Sequence, residues 1–136
     1  MDIAKCLTAV ESLCTGEFPE AGHRTVELAT SHGTRADDAL TRERTVADFH
    51  AYREALAQRL HDRWGRQHPS GQQTVRLRLA RGEEIPEPWA TLSLLTDELD
   101  VWQPTGAGGW LALGVADRDD TDEIRLLAAV TATPPP

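Results

Sequence analysis

The chain has few of the residues that mark special solutions to folding. Cysteine occurs only at Cys6 and Cys14, which excludes a disulfide framework. No apolar run approaches the ~20 residues that a membrane-spanning helix needs, so no membrane partner is expected. The opening Met1-Asp2-Ile3 has no basic stretch and leads into no long apolar run, so no secretory signal is expected either. With two isolated thiols, this points to a cytoplasmic, reducing location. There is no P-loop pattern, since the Gly106-Ala107-Gly108-Gly109 run lacks its lysine and a following helix. There is no Gly-x-Ser-x-Gly elbow and no internal repeat.

What is present suits one ordinary domain. A chain of 136 residues buries roughly two-thirds of its unfolded surface and needs no metal to fold. Hydrophobic residues make up 40% and charged residues 26%, a globular rather than a disordered balance. The net charge of −8 repels phosphate backbones, so nucleic acid is not an expected partner. The charge is also unevenly spread. Residues 42–81 hold nine arginines against four acids, a net of +5; residues 83–123 hold eleven acids against one arginine, a net of −10. Two meanings follow: the segments pair internally, or the second forms an acidic face for a basic protein.

Hydrophobic spacing supplies the elements. Ile3, Cys6, Leu7, Val10, Leu13 and Cys14 recur at helical steps, with Asp2 to cap the start and Gly16 to end it. Both thiols lie on the apolar face and read as structural. Residues 16–44 are rich in Gly, Pro, Thr, Ser and charge, and suggest at most a strand over Arg24–Thr30. Residues 45–64 predict a helix with Thr45 as N-cap and Gly65 as its stop. Val46, Phe49, Tyr52, Leu56, Leu60 and Trp64 form one face of it. Val75, Leu77 and Leu79 alternate with Arg76 and Arg78, which predicts a strand over 74–80. Pro88 suits the first turn of a short helix running to about Thr96. Leu99–Gln103, Trp110–Ala116 and Glu123–Thr131 then read as a three-stranded β-meander.

The expected class is α+β, with helices packed on one face of an antiparallel sheet that ends in this meander. The expected division is a helical arm and poorly defined segment at 1–44, part of the same domain, an α+β core at 45–131, and a flexible tail at 132–136.

Site chemistry is sparse. His50 and Glu54 are four apart on a helix, but two ligands do not make a zinc site, and His61 lies roughly 16 Å further along the same helix. The acidic turn resembles a calcium loop only in Asp117, Asp119 and Glu123. The sixth and twelfth places, glycine and glutamate in an EF-hand, hold Asp122 and Ala128. No metal or cofactor is called for. The partner-binding candidates are Asp117, Asp119, Asp120, Asp122 and Glu123, with Trp102 and Trp110. Each tryptophan falls out of phase with the aliphatic residues of its strand and so points away from the main core, exposed there or under a second helical layer.

The stretches GEEIPEPW (82–89), VWQ (101–103), GGWLALGV (108–115) and LLAAVT (126–131) resemble small proteins of actinobacteria, some of which look like immunity partners of polymorphic toxins. The resemblance covers residues 82–131 and brings no functional residues with it. It implies a non-enzymatic protein-binding module of immunity or antitoxin type that neutralises a basic protein partner. A small-molecule-binding or enzymatic domain, with a pocket between the 45–64 helix and the sheet, is the second expectation. A structural or regulatory homodimer is the third.

Overall fold

The computed structural model describes residues 2–15, 22–31, 39–104 and 109–136. The elements in chain order are α1 (Ile3–Thr15), β1 (His23–Thr30), α2 (Ala39–Trp64), β2 (His68–Gly71), α3 (Gln73–Ala80), α4 (Trp89–Leu95), β3 (Glu98–Trp102), β4 (Trp110–Ala116) and β5 (Arg125–Thr131). The five strands form one antiparallel sheet in the order β1-β5-β4-β3-β2. The fold is α+β, and its C-terminal strands form the expected meander.

Alternation along the strands sorts the core into two layers. Trp102, Leu111, Leu113, Leu126, Ala128 and Val130 face α1 and α2. Leu99, Val101, Ala112, Leu127 and Ala129 face the other way, where Val75 of α3 and Trp89 and Leu92 of α4 meet them. The long helices therefore cover one face, and a shorter pair covers part of the opposite face.

α1 forms where its apolar spacing places it, and the Asp2 carboxylate accepts from the Lys5 N–H at 3.2 Å as an N-cap. Its expected stop, Gly16, lies outside the described residues, as does the glycine loop at 105–108. α2 begins six residues before the expected start. Thr45 is therefore no cap: its hydroxyl donates to the Thr41 carbonyl one turn back, at 3.0 Å. Gly65 ends the helix at φ 84° with its N–H on the His61 carbonyl, as expected.

The strand expected over 74–80 is helix α3 instead. Leu and Arg are good helix formers, and at i and i+4 Val75 and Leu79 share one face toward the core. Arg76 donates to the carbonyls of Ser93 (2.8 Å) and Thr96 (2.9 Å), a cation at the C-terminus of α4. The leftover of the alternation is Leu77, 51% exposed. The edge position it would have taken belongs to β2, whose Pro69 lacks an N–H and suits only an edge.

Residues 1–44 contribute α1, which packs on α2, and β1, which pairs with β5 from His23↔Thr131 to Thr30↔Arg125. At the other end the chain is held as far as Thr133, whose carbonyl accepts from the Trp89 indole at 3.0 Å.

Gly114 of β4 lies opposite Leu99 at the start of β3. A Cβ there would lie 2.6 Å from Leu99 Cδ2, 3.1 Å from Thr96 Cγ2 and 3.3 Å from the Glu98 carbonyl. Gly114→Ala is expected to lower stability by about 1–2 kcal/mol, because Leu99 is closed in by the core and cannot yield freely. Urea unfolding measures it, and a variant as stable as the wild type would refute the crowding.

Candidate protein-binding surface and polar cleft

The register Leu99↔Gly114 brings the start of β3 beside the end of β4. Asp97 and Glu98 thereby join the turn at 117–123, and Arg118 spans the two stretches by pairing with Asp97 at 3.4 Å. Seven carboxylates meet at this end of the sheet: Asp97, Glu98, Asp117, Asp119, Asp120, Asp122 and Glu123. Four arginines, Arg42, Arg76, Arg118 and Arg125, stand among them.

Arg42 organises the turn. From the first turns of α2 its guanidinium donates to the backbone carbonyls of Asp117 (3.2 Å), Asp119 (2.9 Å) and Asp122 (3.0 Å). Its donors thus hold the main chain and leave the carboxylates to other partners. Asp117, half-buried, bonds His50 Nε2 at 2.9 Å, and Glu123 accepts from the Thr30 hydroxyl at 2.9 Å. Asp119 accepts from the hydroxyl and the N–H of Thr121, which hold its carboxyl below the usual range, with Arg42 adding to the effect. Asp119, Asp120 and Asp122 are exposed. Arg42→Ala is expected to cost about 1 kcal/mol and to speed amide exchange through 117–123 without unfolding the sheet. Unchanged exchange there would show that the turn holds itself.

Other sequence candidates separate. Trp102 is out of phase with Leu99 and Val101, as expected, but the face it reaches is the one under α1 and α2. It is 1% exposed, and its indole N–H donates to the Gly65 carbonyl at 3.2 Å. The expectation of an exposed anchor is corrected: the aliphatic residues Leu99 and Val101 belong to the smaller layer, and Trp102 to the larger. Trp110 points the other way and is half-buried against the α3–α4 layer. It begins the strand that Asp117 follows, so the two stand roughly 20 Å apart at ~3.3 Å per residue and make no single patch.

The unequal charges of 42–81 and 83–123 pair in part. Arg53 meets Asp100, Arg76 meets Asp97 and Arg78 meets Glu83, in addition to His50 with Asp117. His50 bonds Asp117, and among the described residues no group of three or more His, Cys, Asp or Glu is placed to hold a metal. Desolvation pushes the Cys14 thiol up to about 11 against the opposing pull of Arg63, and raises Cys6 as well, so neither is primed as a nucleophile. Among the described residues no helix is long and apolar enough to cross a membrane.

A cleft of about 370 Å³ lies between α2 and the β3–β2 edge, in the region where the second expectation placed a pocket between the 45–64 helix and the sheet. Arg53, Glu54, Gln58 and His61 line it from α2, and Glu98 and Asp100 from β3, with Gln67 and Pro69 at its end. Arg53 and Asp100 pair there at 2.9 Å with side chains 14% and 8% exposed, and among the described residues the Arg53 Nε has no partner. Burial pushes the Asp100 carboxyl up, with Arg53 opposing. The α2 wall could be read from sequence as a polar stripe, but its partners on β3 depend on the register.

Compared with known families, curated proteins and solved structures, the chain matches none.

Proposed function

We propose that this chain is a non-enzymatic binding protein of immunity or antitoxin type, acting in the cytoplasm, which takes a basic protein partner on the acidic end of its sheet. The carrying observation is the convergence of Asp97 and Glu98 with the 117–123 turn, whose backbone Arg42 fixes while Asp119, Asp120 and Asp122 face solvent. A surface of one sign speeds encounter with a partner of the other, through contacts that salt screens. The resemblance of residues 82–131 to immunity partners supports the same reading.

The test is capture from a lysate of the source organism at low and high salt, comparing the wild type with Asp119→Asn/Asp120→Asn. The wild type is expected to retain one basic protein and to release it in high salt. The variant is expected to retain about tenfold less, as the loss of two rim charges implies. Equal capture by the variant, or recovery of the chain alone, would sink the reading.

One observation favours a second reading, a small-molecule-binding or enzymatic domain: the cleft lies between α2 and the sheet and includes Glu54 and His61. A neutral metabolite that raises the melting temperature of the wild type, and not that of a Glu54→Gln/Glu98→Gln variant, would support it over the first.

A further inference from the structure

Among the described residues some carboxylates have partners and others, such as Asp48 and Asp120, form no ion pair. Asp97 has two arginines, Asp100 has Arg53, Asp117 has His50, and Glu123 has the Thr30 hydroxyl. The cleft under α2 brings two carboxylates of the second kind together. Glu54 enters it from the helix and Glu98 from the start of β3, and among the described residues neither side chain forms an ion pair. The cleft's own cation, Arg53, is committed to Asp100 on the floor. Two unneutralised carboxylates therefore face one cavity from two different elements. Gln58 and Gln67 stand beside them, and the Gln58 amide already donates to Asp62, which leaves its oxygen to accept.

The volume of about 370 Å³ has room for roughly a dozen waters, or for one long side chain. An anion would meet two uncompensated carboxylates, whereas a cation would offset both. A mobile, strongly hydrated ion gains little from so open a site. A guanidinium or ammonium on an alkyl stem can also lay that stem along Ala57 and Pro69.

We propose that this cleft receives the cationic head of an arginine or lysine side chain presented by the basic partner. Glu54 and Glu98 pair with the head, and the amide oxygens of Gln58 and Gln67 accept from it. The inference rests on the reading of the chain as a binder of a basic protein, and it adds a specific anchor to a surface that otherwise acts by field.

The probe is agmatine, an arginine side chain without the carboxylate, titrated into the 15N-labelled full chain at low salt. Saturable binding on the order of millimolar is expected. The shifts should fall on the side-chain amides of Gln58 and Gln67, and N-butylurea, similar in shape but neutral, should cause none. In Glu54→Gln/Glu98→Gln the affinity should fall at least tenfold. Both positions are exposed, and an unchanged melting temperature confirms that the fold is kept. The proposal is overturned if agmatine shifts only the 117–123 turn or nothing, if the double variant binds it as the wild type does, or if the neutral analogue binds equally. Glu98 belongs to both surfaces, so the two ideas are separated by Glu54→Gln alone, which changes only the cleft, and by Asp119→Asn/Asp120→Asn, which changes only the turn. A chain that captures a basic protein but ignores agmatine loses only the cleft. A chain that takes agmatine but captures no basic protein loses the binder reading, and with it the assignment of the occupant.

Discussion

Replacing Trp102 by alanine is expected to lower the free energy of unfolding by about 4 kcal/mol, the largest loss of any single truncation considered for this chain. The indole is 1% exposed, packed with Leu111, Leu113 and the α2 residues Leu56 and Leu60. Its removal leaves a cavity that a close-packed layer between helix and sheet cannot collapse. It also removes the donor to the Gly65 carbonyl, at the end of α2. Trp102→Phe keeps most of the volume and loses that bond, for about 1 kcal/mol beyond the change in packing. Trp110→Ala, at a half-buried ring, should cost less than half as much as Trp102→Ala. Urea denaturation followed by circular dichroism orders the three. A Trp102→Ala chain of wild-type stability that had lost its partner would instead make this residue a contact, contrary to its burial.

Arg53→Met should destabilise the chain by about 3 kcal/mol near neutral pH, because Asp100 then keeps its charge in a site 8% exposed with no counter-charge. The pair itself need not be a net source of stability. Asp100 is desolvated and, among the described residues, the buried Arg53 Nε has no acceptor, so Arg53→Met/Asp100→Leu should recover much of the loss. The pH dependence follows from the direction of the Asp100 shift. Its folded-state pKa is raised by burial, against the pull of Arg53. Between the ordinary carboxylate value and the raised one, the folded chain binds the proton more than the unfolded chain does, and Asp100's contribution falls as pH rises through that window. Removing Arg53 removes the opposing pull, so the Arg53→Met deficit should shrink as pH falls through the folded-state value, while Asp100→Asn shows no such slope. Unfolding measured at pH 7 and near pH 4.5 decides it. A deficit equal at both would mean that Asp100 is not the origin of the loss.

Local pattern was a good guide wherever an element's apolar face was unbroken. Ile3 to Cys14 and Val46 to Trp64 carry enough helical repeats that no other conformation buries the same set, and both helices are present. The meander was legible because Trp110–Ala116 and Leu126–Val130 are nearly continuous apolar runs short enough for strands, and both are buried on both faces. Residues 74–80 misled because a five-residue alternation is also compatible with a helix burying i and i+4. The choice went to the helix once Arg76 could cap α4 and β2 could take the sheet edge. β2 itself, His-Pro-Ser-Gly, has no strand signature and exists because β3 offers a free edge.

The candidate site divides along the same line. The split of basic and acidic segments, the acidic turn and the polar stripe on α2 are properties of consecutive residues, and composition and period alone determined them. Which carboxylates are paired, that Arg42 holds the turn by its carbonyls, that Trp102 is core, and that Glu54 faces Glu98 across a cleft were decided only by tertiary structure. These depend on strand register and on how α2 crosses the sheet, and both are set by burial of residues far apart in the chain, which no local window contains.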